Sequence, residues 1–214
     1  MTTDTPRIVS RRDLRIYMAC DDVAFHETPP SVVRRLVERV LPHSNLGLWF
    51  LRRNRRWEYL YNNSGRSPLR RLVYLIAGYR YARLQHRYCC SIPVNVLGPG
   101  TRLWHFAQGS IIINDQARIG IGFSISANCC VGQAKDLSPR IGDGVEMCVG
   151  SMIIGDIRIS DRTTIGAHAL VLHSVDDPNV TVAGTPAREI SRNYDIRNER
   201  RCSRICSILA ANGW

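Results

Sequence analysis

The sequence has no long apolar run. Its longest uncharged stretch is IGIGFSISANCCVGQA, 16 residues from Ile119. That stretch is too short, and too rich in Gly, Ser and Asn, to span a bilayer. The basic, apolar, small-residue start of a secretory leader is missing as well. A soluble, cytoplasmic protein without a membrane span is expected. There is also no CxxC. The eight cysteines include two adjacent pairs, Cys89-Cys90 and Cys129-Cys130, and adjacent cysteines make strained disulfides. CSRIC, near the C-terminal end, is a CxxxC with no second pair of ligands, so no metal site is expected. The cysteines read as buried free thiols acting as small hydrophobes.

Acidic residues are scarce at the two ends only. Residues 1–90 hold 17 Arg and 7 acids, residues 91–190 hold 7 basic and 9 acidic groups, and residues 191–214 hold 5 Arg and 2 acids. The formal net charge of +11 therefore belongs to the first segment and the tail. Such charge attracts nucleic acid, an anionic surface or an anionic ligand. No aromatic-basic nucleic-acid motif accompanies it, so the arginines read as a solvated helical surface and nucleic acid is not an expected partner.

Three segments follow from the pattern. Residues 1–90 read as a helical N-terminal domain. SVVRRLVERVL (31–41) puts Val32, Val33, Leu36, Val37, Val40 and Leu41 on one face after a Ser31 cap, the spacing of an amphipathic helix. NLGLWFLRRNRRWEYLY supports a further helix. SPLRRLVYLIAGYRYARLQ (67–85) repeats helical spacing after a Ser-Pro start. Residues 191–214 read as a basic tail.

Between them, residues 91–190 follow a period of six. Every sixth residue from Ile141 is aliphatic: Ile141, Met147, Ile153, Ile159, Ile165 and Val171. The fifth position is mostly small, with Val145, Ser151, Ile157, Thr163 and Ala169, and Gly142 and Gly166 occupy the second. Upstream, the phase continues through Ile113, Ile119, Ile125 and Val131, and before them Leu97 and Leu103. Four-residue interruptions near 107–112 and 132–140 separate the blocks. A period of six suits neither an α-helix nor an antiparallel sandwich. It fits a mainly β fold, a parallel β-helix of triangular section in which each hexad supplies one strand and one corner. About 80 repeat residues give roughly four to five coils, about 20 Å tall at strand spacing. Interruptions of a solenoid become loops, and loops carry function.

IPVNVLGPGTRLWHFAQGSIIINDQARIG, the run IGDGVEMCVGSMIIGDIRISDRTTIGAHALVLHSV and the closing TVAGTPAREI resemble the hexapeptide-repeat acyltransferases. Within them the match is to the serine O-acetyltransferase branch and its short, capsule-type relatives. The resemblance covers residues 91–190, and reaches the first segment only through its helical character and DLRIY at 13–17. It implies a left-handed parallel β-helix after a helical domain, acetyl-CoA as the donor and a homotrimer. It also implies that His105, after GPG and before an aliphatic strand, is the general base that deprotonates an acceptor hydroxyl; imidazole has a suitable pKa for that task. No Ser or Cys nucleophile motif suggests a covalent route. By the same resemblance Val149, Gly150 and Ala167 line the pantetheine groove. Gly184, Thr185 and Pro186 of AGTPAREI lie further along it, and Arg188 is placed to meet a CoA phosphate.

The match departs from the long serine acetyltransferases around His105. The acid just before the base is replaced by Trp104, the acid about fifteen residues earlier falls at or next to Cys90, and the second His is replaced by DLSPR. Asp21 and Asp22 are candidates to supply the acidic side of the acceptor site. Trp104 stacks on a sugar or anchors a neighbouring subunit. A sugar or polysaccharide O-acetyltransferase is thus the alternative enzyme. A non-catalytic scaffold whose basic helices bind an anionic partner is the alternative outside enzymology. His168 and His173 read as turn or surface residues, and His26, His43 and His86 have no identifiable partners.

Overall fold

A computed structural model describes residues 6–26, 31, 33, 37, 45–65, 67–192 and 195–214. Most of the predicted helix at 31–41, and His43, lie outside the described residues. The described elements begin with helices α1 (Arg11–Phe25), α2 (Leu46–Asn62) and α3 (Pro68–Arg87). Fourteen short strands follow: β1 (Cys90–Ser91), β2 (Arg102–Leu103), β3 (Ile111–Ile113), β4 (Arg118–Ile119), β5 (Ser124–Ile125), β6 (Cys129–Gly132), β7 (Arg140–Ile141), β8 (Glu146–Met147), β9 (Met152–Ile154), β10 (Arg158–Ile159), β11 (Thr164–Ile165), β12 (Leu170–Val171), β13 (Thr181–Gly184) and β14 (Ala187–Ser191); helix α4 (Ile196–Ala211) comes last.

The strands form three sheets, which are the three faces of the prism. One sheet is β1-β3-β6-β9-β12, the second is β4-β7-β10, and the third is β2-β5-β8-β11-β13 with β14 added antiparallel at its end. The register explains the hexads. Met147 pairs with Ile165 and Ile153 with Val171, three hexads apart. Leu103 pairs with Ile125 and Val131 with Ile153, three hexads plus a four-residue interruption. Each interruption is therefore absorbed as a loop without shifting the column inside. That column is aliphatic and enclosed: Ile141, Met147, Ile153, Ile159 and Ile165 are all buried. Val145, Ser151, Thr163 and Ala169 tuck in beside the corners, where only small or compact side chains fit.

The helices lean on the first coils. α1 begins with a capping box, in which the Asp13 N–H donates to Ser10 Oγ at 3.1 Å and the Ser10 N–H donates to the Asp13 carboxylate at 2.7 Å. That arrangement satisfies two otherwise orphaned donors. α2 sends Phe50 and Leu51 into the prism core. α3 forms as predicted, but its apolar residues do not face inward. Leu69, Leu72, Val73, Leu75, Ile76 and Tyr79 are exposed, and Tyr81 is its one fully buried side chain. The inward row carries Tyr74, Gly78 and Tyr81 instead. A Cβ on Gly78 would lie 2.7 Å from the Trp57 ring, so glycine is needed for the ring to pack. Trp57 stacks on Tyr74 with centroids 4.9 Å apart.

The segment read as a basic tail contains α4. Asp195 caps it by accepting from the Arg197 N–H at 2.8 Å. Ile205 and Leu209 pack with Ile16, Cys20 and Ala24 of α1, and Arg201 donates to the carbonyl of Gly122 at 3.1 Å. α4 thus covers the outside of the first coils and fastens α1 to them.

Candidate active site

The corner after the third sheet gathers most of the predicted site residues. Leu103, Ile125, Met147, Ile165 and Val182 stack in register. Two residues beyond each of these come His105, Ala127, Val149, Ala167 and Gly184. One edge of the prism therefore carries His105 at one end and Gly184 at the other, four coil steps or roughly 20 Å apart. Val149, Ala167, Gly184 and Thr185 are exposed along it. At Gly150, with φ +71°, a Cβ would lie 2.5 Å from Nδ1 of His168. A larger residue there would displace that ring and close the surface. Thr185 Oγ1 donates to the carbonyl of His168 at 3.3 Å, tying the last corner to the one before it.

His105 sits in the first interruption. The Trp104 N–H still donates to the carbonyl of Ile125 at 2.8 Å, extending the ladder by one residue. The chain then turns sharply. His105 (φ +50°) and Ala107 (φ +72°) both adopt the left-handed region, which costs non-glycine residues roughly 1–3 kcal/mol each. Phe106, between them, is buried against Phe50 of α2 at 4.6 Å and Tyr88 at 5.3 Å. Burial of that ring offsets the strain and holds Trp104 and His105 outward. The Gln108 N–H closes the turn on the carbonyl of His105 at 3.0 Å, and the Ser110 N–H donates to Asn128 Oδ1 at 3.1 Å. Trp104 is 36% exposed. The Arg102 guanidinium lies 3.6 Å from one face of its ring, and the His105 ring is 6.3 Å away. Among the described residues no carboxylate bonds to the His105 ring.

Asp21 and Asp22 have other partners. Asp21 is fully buried and takes both Nε and Nη2 of Arg55, at 3.0 and 3.3 Å. It also accepts from the N–H groups of Gly100 and Thr101, at 3.0 and 3.1 Å. Burial pushes its carboxyl up, while Arg55 and the two amides work the other way. The expectation that Asp21 forms the acidic side of an acceptor pocket is corrected here, because its oxygens are enclosed. Asp22 is held by Arg52 at 2.7 Å. Their contribution is indirect: the Arg55–Asp21 pair grips the backbone of residues 97–101, with Arg55 also donating to the carbonyls of Leu97 and Gly98 at 2.8 and 2.7 Å. That grip aims β2 into the Trp104-His105 turn.

Arg188 lies on β14, opposite Ala183, and is exposed at the far end of the edge. Pro186 is exposed in the turn before it. Sequence reasoning missed Arg102, Phe106, Asn128 and the inward role of Arg55. Asn128 and His168 fall three residues after Ile125 and Ile165, so the hexad phase places both at this corner. Burial pushes the Cys20 and Cys90 thiols up to about 12. Cys89 and Cys206 depart from the expectation of burial and are exposed. Among the described residues no group of three His, Cys, Asp or Glu side chains is placed to hold a metal.

A stack of triangular coils built on a six-residue period is a hexapeptide-repeat β-helix. No family model matches the chain. Serine acetyltransferase 3, mitochondrial, of Arabidopsis thaliana is 38% identical over 96 residues, covering 43% of this chain and 24% of that protein. The serine acetyltransferase of Staphylococcus epidermidis is 32% identical over 110 residues, covering 46% of this chain and 51% of the relative. The chain thus spans about half or less of the length of these curated relatives. The solved serine acetyltransferase of Brucella abortus superposes with a TM-score of 0.67 at 26% identity, covering 86% of this chain and 71% of that one. The fold is the left-handed parallel β-helix of those neighbours. By sequence over the coils, and by fold, the chain is similar to the serine acetyltransferases among hexapeptide-repeat proteins.

Proposed function

We propose that the protein transfers the acetyl group of acetyl-CoA directly to an acceptor hydroxyl, as a serine O-acetyltransferase does. The observation that carries this reading is the single edge that joins His105 to Val149, Gly150, Ala167 and Gly184. One ring nitrogen of His105 takes the hydroxyl proton as the oxygen attacks the thioester carbonyl. The tetrahedral intermediate then expels the CoA sulfur, and the imidazolium returns the proton to that thiolate. The products are an acetyl ester and CoA. Gly150, Ala167 and the turn at Gly184, Thr185 and Pro186 leave room for the pantetheine arm, and Arg188 meets a phosphate of CoA. A solved serine acetyltransferase complex with CoA supports the choice of donor. We place the reaction in the cytoplasm; no described helix is long and apolar enough to cross a membrane.

The working form is a homotrimer. Ile112, Cys130 and Met152 fall in one register row on the outer face of the first sheet, and Ile112 and Met152 are exposed there. A neighbouring prism on this face would bury the row and wall the edge that holds His105. Light scattering at micromolar concentration should give three times the chain mass; a stable monomer would overturn the assembly.

Free serine is the first acceptor to test. Trp104 favours a second reading, a sugar acceptor, because it is an exposed aromatic ring beside His105, held from one face by Arg102, and such rings stack on sugars. Thiol release from acetyl-CoA, measured with serine, homoserine, simple sugars and sugar nucleotides, separates the two. Preference for serine would leave Trp104 as an interface residue. Absence of CoA binding at millimolar concentration would favour a scaffold instead.

A further inference from the structure

Beyond the acyl-transfer edge, and independent of it, the groove between α2 and α3 has a composition that the acetyltransfer reading leaves unused. It encloses about 1130 Å³. Its floor is apolar, with Trp49, Trp57, Leu60, Val73 and Leu84. Around that floor stand Arg53, Arg56, Arg80, Arg83 and Arg87, and among the described residues lining it there is no Asp or Glu. Among the described residues none of these five arginines forms an ion pair. The Arg53 side chain lies over Trp49 at 3.4 Å and Arg83 over Tyr79 at 5.9 Å, so aromatic faces take the place of counter-ions. Half-burial, and then repulsion from Arg56 and Arg80, push Arg53 down from the usual guanidinium value. Like charges are crowded there.

α3 continues the same surface. Leu69, Leu72, Ile76, Arg83 and Arg87 recur at three- and four-residue spacing, so they share one side of the helix. Leu69, Leu72, Leu75, Ile76 and Tyr79 are all exposed on or beside that side, each by more than half. Its first half is therefore an uncovered apolar stripe, and its second half is basic. No described helix is long and apolar enough to cross a membrane.

We propose that this face docks on an anionic lipid surface. The apolar half of α3 lies in the interfacial layer, and the guanidiniums around the groove meet lipid phosphates. Exposed leucines can enter the interfacial layer while the long arginine side chains beside them reach up to the headgroups, and clustered basic side chains add attraction to acidic lipids. A second copy of the chain fits less well, because two-fold pairing would set these arginines against their own duplicates. Nucleic acid fits less well, because it offers nothing to the leucines.

Co-sedimentation of the full chain with vesicles tests this. Binding to phosphatidylcholine vesicles containing phosphatidylglycerol should be at least about tenfold tighter than to phosphatidylcholine alone, and should weaken as salt rises. Arg83→Glu with Arg87→Glu should abolish the preference for acidic lipid. Leu72→Gln with Ile76→Gln should weaken binding about tenfold while retaining it in part at low salt. All four positions are exposed, and circular dichroism with thermal melts would check that each variant is folded. Failure of the wild-type chain to bind acidic vesicles at low salt would overturn the proposal. So would folded variants that bind like wild type, or a Leu72→Gln/Ile76→Gln variant whose principal change is a smaller sedimenting particle.

Discussion

The β-helix and the helices beside it fill their interiors by opposite means. Inside the prism, Ile141, Met147, Ile153, Ile159 and Ile165 stack without a polar atom among their side chains. At the joint with the helices, Arg55, Asp21 and Glu58 are all buried together. A stacked aliphatic column is non-directional, and any coil packs on the next if the phase is kept. An ion cluster with hydrogen bonds to named carbonyls and amides tolerates one geometry only. The first arrangement builds a long, regular edge. The second sets the angle at which α1 and α2 meet the first coil, and so where β2 delivers Trp104 and His105.

The contrast can be broken from either side. Arg55→Ala should have the largest effect on stability, a loss of about 4 kcal/mol, because it strands the Asp21 carboxylate in the interior. Urea unfolding should also lose its single transition, as the helices release before the prism. A loss under about 1 kcal/mol would mean that the pair is not the joint. Ile153→Ala should cost about 3 kcal/mol through lost burial and a cavity with no route for collapse, and unfolding should stay in one step. Removing the α1 cap is the mildest test. Ser10→Ala should cost about 1 kcal/mol, read as a small drop in midpoint with unchanged denaturant slope. A cost equal to that of Arg55→Ala would place the α1 start, rather than the ion pair, at the joint.

The same contrast explains what could be read in the sequence. The prism was legible nearly residue by residue, because a six-residue period fixes the inward positions and the four-residue insertions fix the loops. Val149, Ala167 and Gly184 were pointed to by the family resemblance, and the strand register brings all three to one corner. The helical region was legible only as helices. The spacing of residues 67–85 predicted a helix but not which side of it packs: Gly78 lets Trp57 approach, and the aliphatic residues stay outside. Asp21 looked like an acceptor-site acid because nothing local marks a carboxylate whose partner is thirty-four residues away. The tail had a signal that charge obscured: Asp195 as cap, then Arg201, Ile205 and Leu209 at four-residue spacing. Phe106 was readable as an aromatic in a loop, but its partners Phe50 and Tyr88 come from elsewhere in the chain.

The central claim is that the regular edge is a donor groove and that His105, held at its end by the helical joint, is the base. The most direct measurement is steady-state thiol release from acetyl-CoA with the best acceptor, comparing the wild type with His105→Ala, alongside CoA binding by calorimetry. The expected result is a fall in kcat of about two to four orders of magnitude with CoA affinity nearly unchanged. Turnover by His105→Ala close to that of the wild type would contradict the mechanism.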